Sequence, residues 1–337
     1  MTSSRPCGAD PRLAPSAPYP EALEAAAELL RASSSVLLLC HDSPDGDTLG
    51  SAAALRAALR AMGKRCDLSP GGEVSERLRF VAERALAPAE LDPDSYRLIV
   101  AIDAAEARLL GANEPLAPRV DLVIDHHRAS RPYGRGGELR LPSAAATGEI
   151  IFDLLGALGV PLTRETALPL YVALATDTGC FRYSNTTART FEVAAACAAT
   201  GIEMAEINRS LFELISRRTL ALQTRLLREA RFAADGAICV AVLTREMAEG
   251  ATQDDTGGLS GFLRNIEGVE AVALLKETEE GDFKVSMRSN GGVDVAAVCA
   301  ALGGGGHVCA AGCRLSGPAE AVQRDLLERL CAAYSQK

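Results

Sequence analysis

No CxxC pair occurs in this chain, and its ten cysteines (Cys7, Cys40, Cys66, Cys180, Cys197, Cys239, Cys299, Cys309, Cys313, Cys331) lie scattered, mostly among Ala, Val and Leu. That distribution argues against a disulfide framework or a zinc-thiolate cluster and reads as buried, reduced thiols. No stretch is apolar over a membrane-spanning length. The first twenty residues, with Pro6, Pro11, Pro15, Pro18 and Pro20, lack the continuous apolar core of an export signal. The expectation is a soluble cytoplasmic protein with a disordered segment at residues 1–20. Positive charge is also scarce. A net charge of −9 argues against coating of long nucleic acid, which needs many Lys and Arg contacts to phosphates.

Histidine is rare enough to be informative, with four in the chain: His41, His126, His127 and His307. Each sits beside glycines or carboxylates at the edge of an apolar run. With 337 residues and 48% hydrophobic content, two domains are expected. In the first, over residues 21–215, helical spacing at 21–30 precedes a buried-strand run at 36–40, a polar loop and a helix over 48–61. Further buried strands are expected at 97–102 and 121–124, and helices at 144–158 and 165–175. A charged connecting helix is expected within 216–234. Over 235–337 strands near 238–243, 270–276 and 284–287, a helix near 295–302, a glycine run and a final helix over 319–332 suggest an α+β domain. No internal repeat is apparent.

In α/β sheets ligands gather at the carboxyl ends of parallel strands, so polar residues ending apolar runs are the first place to look. The loop His41-Asp42-Ser43-Pro44-Asp45-Gly46-Asp47 follows one such run and offers donors suited to hard or borderline divalent cations. Taken alone, it also reads as a polar turn capping the next helix. Asp103 ends IVAID, and Asp125, His126 and His127 end VIDHH. Adjacent histidines beside an aspartate at a strand end favour ligation or catalysis over a core role. In LATDTGCFRYSNT, Asp177 closes an apolar helical stretch, and Arg182 follows as a further candidate for substrate contact, though it reads equally as a surface arginine. In the second half, Arg288-Ser289 and Gly303-Gly304-Gly305-Gly306-His307 could let backbone and guanidinium approach a phosphate; alone, the glycine run reads equally well as a flexible loop.

HDSPDGD, AID, DHH and TDTG, in that order over residues 36–190, resemble the four motifs of the DHH phosphoesterase superfamily. MRSNGGVDVAAVCAALGGGGHVCAAG resembles its associated substrate-binding domain, and within the superfamily the chain is most similar to the nanoRNase group of oligoribonucleases and pAp phosphatases. The resemblance implies an α/β architecture, with a parallel-sheet catalytic domain joined by a linker helix to a smaller α+β domain. It implies one divalent ion on His41, Asp45 and Asp103 and another on Asp47, Asp103, His126 and Asp177, with Asp103 bridging. Asp125 and His127 would serve catalysis, with Asp125 orienting a neighbouring imidazole. Arg288, Ser289, Gly305, Gly306 and His307 would bind substrate, with hydrolysis in a cleft between the domains. The oxygen-rich donor set suits Mn²⁺ best, with Mg²⁺ or Co²⁺ as alternatives.

The implied activity is hydrolysis of oligoribonucleotides of about two to five nucleotides, a length suited to a cleft that few basic groups serve, and removal of the 3′ phosphate of pAp. A phosphodiesterase for cyclic or linear dinucleotides such as c-di-AMP or pApA is the nearest alternative, with pyrophosphatase or polyphosphatase activity behind it. A non-catalytic nucleotide-binding protein would be expected to have lost a ligand, and none of the motif residues is missing. No membrane or long nucleic acid is expected as a partner, and a homodimer remains open.

Overall fold

The computed structural model describes residues 19–82, 91–128 and 131–335. Residues 1–18, most of the segment expected to be disordered, fall outside this set, as does Cys7. Tyr19 and Pro20 correct that expectation at its edge: they open helix α1 (Tyr19–Ala32), a position where proline's missing N–H costs nothing. The chain forms two compact units, Met1–Leu214 and Ile215–Lys337.

The first unit carries strands β1 (Ser35–Leu39), β2 (Arg65–Ser69), β3 (Leu98–Ile102), β4 (Leu122–Asp125) and β5 (Gly137–Arg140). They pair in the order β2-β1-β3-β4-β5, all parallel. Strands buried on both faces read as continuous apolar runs, which is why β1 and β3 stand out in the sequence. Val36, Leu38, Val100, Ile102 and Ile124 pack beneath α1, α2 (Gly46–Ala61), α4 (Thr147–Leu158) and α5 (Arg164–Asp177). Leu37, Leu39, Ile99, Ala101 and Val123 face a second core with Leu110 and Ala117, from the 3₁₀ segment Ala107–Arg119. Short α3 (Arg79–Ala82), α6 (Ala188–Ala199) and α7 (Met204–Asn208) also belong to this unit. Chain order reverses between β1 and β3, so a crevice opens at their carboxyl ends.

Helices α2 and α5 approach closely because glycines face the contact. A Cβ on Gly50 would lie 2.3 Å from the Pro169 carbonyl oxygen, and one on Gly46 2.4 Å from the Thr176 side chain. Gly50→Ala is therefore expected to lower unfolding free energy by about 1–3 kcal/mol, although alanine favours helices. Urea denaturation checks this, and an unchanged midpoint would mean that the helices separate at no cost.

In the second unit α8 (Arg217–Glu229) leads to strands β6 (Arg231–Ala233) and β7 (Ile238–Leu243). Short helices α9 (Arg245–Ala248), α10 (Gln253–Gly257) and α11 (Leu259–Arg264) precede β8 (Ala271–Glu277) and β9 (Phe283–Ser289). Helix α12 (Val295–Ala300), β10 (Gly305–His307), β11 (Ala310–Leu315) and α13 (Ala319–Tyr334) follow. The mixed sheet runs β10-β11-β9-β8-β7-β6, with only β7 and β8 parallel. The expected connecting helix packs into this unit: Leu222 and Leu226 of α8 share a core with Leu259 and Leu263 of α11 and with β7 and β8. Helices α12 and α13 cover the opposite face through Val295, Val298, Leu326 and Leu330. The expected α/β class with a parallel first sheet and a separate α+β second unit is thus observed. Among the described residues, no helix is long and apolar enough to cross a membrane.

One buried carboxylate ties the start of this unit together. Asp255 accepts hydrogen bonds from the Ser216 and Thr219 hydroxyls at 2.5 and 3.1 Å and from the Thr252 N–H and hydroxyl at 3.0 and 3.1 Å. These bonds, that from Ser216 foremost, hold its carboxyl at about 2, below the usual 3.8. The stabilisation is therefore complete above 3.8 and disappears as pH falls toward about 2. Asp255→Asn is expected to cost about 2–3 kcal/mol at neutral pH. In urea melts its gap from the parent protein should narrow on acidification.

Candidate metal centre

Three strand ends and two helices bring the candidate ligands to one end of the first sheet. His41 lies two residues past the end of β1, after Cys40. Its Nε2 lies 3.5 Å from Asp45 Oδ1 and 3.8 Å from Asp103 Oδ2. Asp45 is the N-cap of α2, accepting from the N–H groups of Asp47 and Thr48 at 3.0 and 3.1 Å, so the polar-turn reading of this loop is also true. Asp42 is exposed and anchored through its N–H to the Leu109 carbonyl at 2.7 Å.

Asp47, in the first turn of α2, is buried and accepts from the backbone N–H groups of Thr147 and Gly148 at 2.7 and 3.0 Å and from the Ser51 hydroxyl at 3.1 Å. It thereby caps α4, whose own N-cap residue, Ala146, offers no acceptor. Asp103 follows β3 with φ of 58°, in the left-handed region that an L-residue enters at a cost. Its Oδ1 accepts from the Thr147 hydroxyl at 2.8 Å and lies 3.7 Å from His126 Nε2 and 3.5 Å from His127 Nδ1. With Oδ2 toward His41, this carboxylate faces both ends of the cluster.

His126 and His127 follow β4 and play different parts. His126 Nδ1 lies 3.2 Å from the Ala144 carbonyl, which leaves Nε2 at 3.7 Å from carboxylate oxygens of each of Asp47, Asp103 and Asp177. A ring held this way points its other nitrogen's lone pair at the space between three acids. His127 Nδ1 is tied to Asp125 at 2.7 Å. Asp125 is fully buried, and Arg140 Nη2 stands 3.7 Å from its second oxygen. Asp177 ends α5, and the Asn185 side chain holds its carbonyl at 3.1 Å.

The donor atoms fall into three overlapping triads, each within 4.8 Å: His41, Asp45 and Asp103; Asp47, His126 and Asp177; Asp103, His126 and His127. Burial, then the charges of Asp103 and Asp177, push the Asp47 carboxyl well above the usual range. Burial and the charge of Asp45 raise Asp103. Burial and the neighbouring acids raise Asp177 to about 6, against the pull of His126. Within this unit these acids lie beside imidazoles: His41 beside Asp45 and Asp103, His126 beside Asp47, Asp103 and Asp177, and His127 beside Asp103. Acids crowded closely enough to raise one another, with imidazole nitrogens among them, fit divalent ions, which offset that negative charge. The nearby thiol of Cys40 is pushed up to about 12 by burial and faces the Thr48 carbonyl, so the available donors are oxygen and imidazole.

The DHH family N-terminal domain matches residues 35–174 and the DHHA1 domain matches residues 235–336. The chain is 35% identical over 308 residues to the bifunctional oligoribonuclease and PAP phosphatase NrnA of Thermus thermophilus, covering 90% of this chain and 91% of that protein. The chain belongs to the DHH family. Its fold is that of an exopolyphosphatase-related protein of Bacteroides fragilis, with TM-score 0.86 at 21% identity over 94% of this chain and 97% of the other. RecJ of Thermus thermophilus in complex with Mn²⁺ shares the fold more distantly, with TM-score 0.57 and 18% identity over 97% of this chain and 56% of RecJ. The resemblance drawn from the motifs is thus confirmed.

In the DHHA1 unit the five substrate candidates gather on the β9, β11 and β10 side of the sheet. Ala310 pairs with Arg288 on one side and His307 on the other, so their side chains rise from one face. Arg288 is half-buried, with Nη1 donating to the Met287 carbonyl at 2.9 Å. Ser289 is buried, and its Oγ accepts from the N–H groups of Gly291 and Val293 at 3.0 and 3.2 Å. The glycine run corrects the loop reading: Gly305, Gly306 and His307 form edge strand β10. Close packing explains two of its glycines. A Cβ on Gly304 would lie 2.2 Å from the Gly312 carbonyl oxygen, and one on Gly306 2.5 Å from that of Ala310, whereas above Gly305 the space is open.

Thr147, Ser51 and Arg140 are parts of this DHH site that the motifs do not mark. The available signal for Thr147 was Ala-Ala-Ala-Thr-Gly, a helix start lacking a capping side chain just before it, which requires an acceptor from elsewhere. Arg182 is exposed, and its Nε donates to the Gly179 carbonyl at 2.6 Å.

Proposed function

We propose that this hydrolase cleaves phosphoester bonds in oligoribonucleotides of about two to five residues, releasing mononucleotides, and converts pAp to AMP. The carrying observation is the cluster of carboxylates and imidazoles, built around buried Asp47 and Asp103, at the β1 and β3 ends. The relative from Thermus thermophilus, which bears both activities in its name, supports the substrate class.

His41, Asp45 and Asp103 would hold one divalent ion and Asp47, Asp103, His126 and Asp177 the other, with Mn²⁺ preferred and Mg²⁺ or Co²⁺ as substitutes. When bound, such ions would supply Lewis acidity toward the phosphoryl oxygens, which makes phosphorus more electrophilic and offsets the charge on those oxygens. Asp125 holds the Nδ1 side of His127 and leaves Nε2 of a partly exposed ring to give a proton to the departing oxygen. Thr147 and Ser51 keep the Asp103 and Asp47 carboxylates in place. In the DHHA1 unit Arg288 can take a second phosphate group of the substrate bidentately, the buried Ser289 supports that seat by holding the turn after β9 through the N–H groups of Gly291 and Val293, and the open space above Gly305 admits the phosphate. Beside the exposed His307, Gly306 keeps the strand tight enough to present that surface. Cytoplasmic residence belongs to the same reading and is supported by the free state of all nine described cysteines.

With Mn²⁺ present, the protein is expected to release mononucleotides from di- to pentaribonucleotides and phosphate from pAp. No turnover of any of them by metal-loaded protein would sink the proposal.

A further inference from the structure

The turn after Asp177 holds an unusual backbone. Gly179, Cys180 and Phe181 occupy the left-handed region in succession, with φ of 56°, 59° and 63°. Residues bearing a Cβ resist this conformation, so consecutive examples persist only where the surroundings enforce them. Hydrogen bonds enforce it here. Cys180 N–H donates to the Ala175 carbonyl at 2.6 Å and Phe181 N–H to Thr178 Oγ1 at 3.0 Å, while the N–H groups of Arg182 and Tyr183 share the Thr178 carbonyl at 3.0 Å each. Phe181 turns inward between Tyr171 and Phe191, with ring centroids 5.9 and 5.4 Å away.

The strained turn places the next aromatic residue on the outside. Tyr183 is 48% exposed, and its ring lies over Gly179, where a Cβ would come within 2.3 to 2.6 Å of three ring carbons. Only glycine permits that seat. The ring is thus held flat against backbone two residues beyond Asp177, in the same unit as the carboxylate cluster, while a large part of it meets solvent.

We propose that Tyr183 is a stacking platform for a nucleobase of the substrate, seating the nucleotide so that its phosphate meets the carboxylate cluster. This rests on the nucleotide-hydrolysing reading and adds the group that tells a nucleotide from a bare phosphate chain. Carboxylate-held cations recognise phosphate alone, whereas an aromatic face accepts any base and so confers nucleotide preference without sequence preference.

The chain contains no tryptophan, so Tyr183→Trp installs a single indole reporter at the seat. In the full-length, metal-free variant, AMP is expected to quench its fluorescence saturably, and ribose 5-phosphate is not. In the metal-loaded enzyme, Tyr183→Ala should lower the ratio of kcat/KM for diadenylate to that for its abasic counterpart by about tenfold, and Tyr183→Phe should preserve that ratio. Equal quenching by both ligands, no quenching by AMP, or an unchanged ratio in Tyr183→Ala would overturn the stacking role. Quenching by AMP in a protein that hydrolyses no nucleotide would leave the platform standing and remove the hydrolytic reading instead.

Discussion

Asp103→Asn is expected to lower kcat on dinucleotides and pAp by on the order of a thousandfold or more, while the metal-free variant unfolds at the same temperature as the parent or higher. The two halves of this result come from different properties of one carboxylate. Its Oδ1 faces His126 and its Oδ2 faces His41, so it is the group common to both proposed ion sites. Removing its charge weakens both at once, and a loss of several kcal/mol in transition-state stabilisation corresponds to a factor of a thousand. Stability responds in the opposite sense. A buried carboxylate among other acids is costly when no cation is present, and burial already raises Asp103 above its ordinary range. Asparagine tolerates the left-handed backbone at φ 58° and can still accept from the Thr147 hydroxyl at 2.8 Å. Steady-state kinetics and a thermal melt of metal-free protein read the two halves separately. A variant with lost activity and a lowered melting temperature would show that Asp103 chiefly supports the fold.

The second large effect concerns the pair behind the cluster. Asp125→Asn and His127→Ala are each expected to reduce kcat by about a hundredfold to ten-thousandfold with little change in KM. Asp125 is wholly buried and its 2.7 Å contact fixes the His127 ring, so an amide there removes the negative charge that favours a protonated imidazole and lets an N–H face Nδ1 instead, which changes the ring's tautomer. Because the two act as one unit, the double variant should be little worse than either single one. Additive losses would assign them independent tasks. Metal affinity provides the control, since neither residue belongs to the proposed ligand set of His41, Asp45, Asp47, Asp103, His126 and Asp177.

The parts of this site that were legible in the sequence are those where chemistry and hydropathy change together. A buried parallel strand is a continuous apolar run, and a ligand at its end is an abrupt polar residue, so β1, β3 and β4 announced His41, Asp103 and the Asp125 to His127 segment. Strands β2 and β5 were missed because edge strands carry polar residues: Arg65, Asp67 and Ser69 in one, Gly137, Glu138 and Arg140 in the other. Strand β10 was hidden by its glycines, whose role in close packing against β11 depends on partners distant from any local pattern. Thr147 carries only the indirect signal of an uncapped helix start, since its partners Asp47 and Asp103 lie about a hundred and about forty-four residues away in sequence. The left-handed Cys180 and Phe181 have residue types that give no warning of that backbone; only Gly179 hints at it.

Counting bound Mn²⁺ per chain, by equilibrium dialysis followed by elemental analysis of the parent protein and of Asp103→Asn, tests the proposed dinuclear site most directly. The proposed site predicts two tightly held ions in the parent and weakened retention of both in the variant. A parent protein that binds one ion or none, or a variant that keeps both, would contradict a site built around a bridging Asp103.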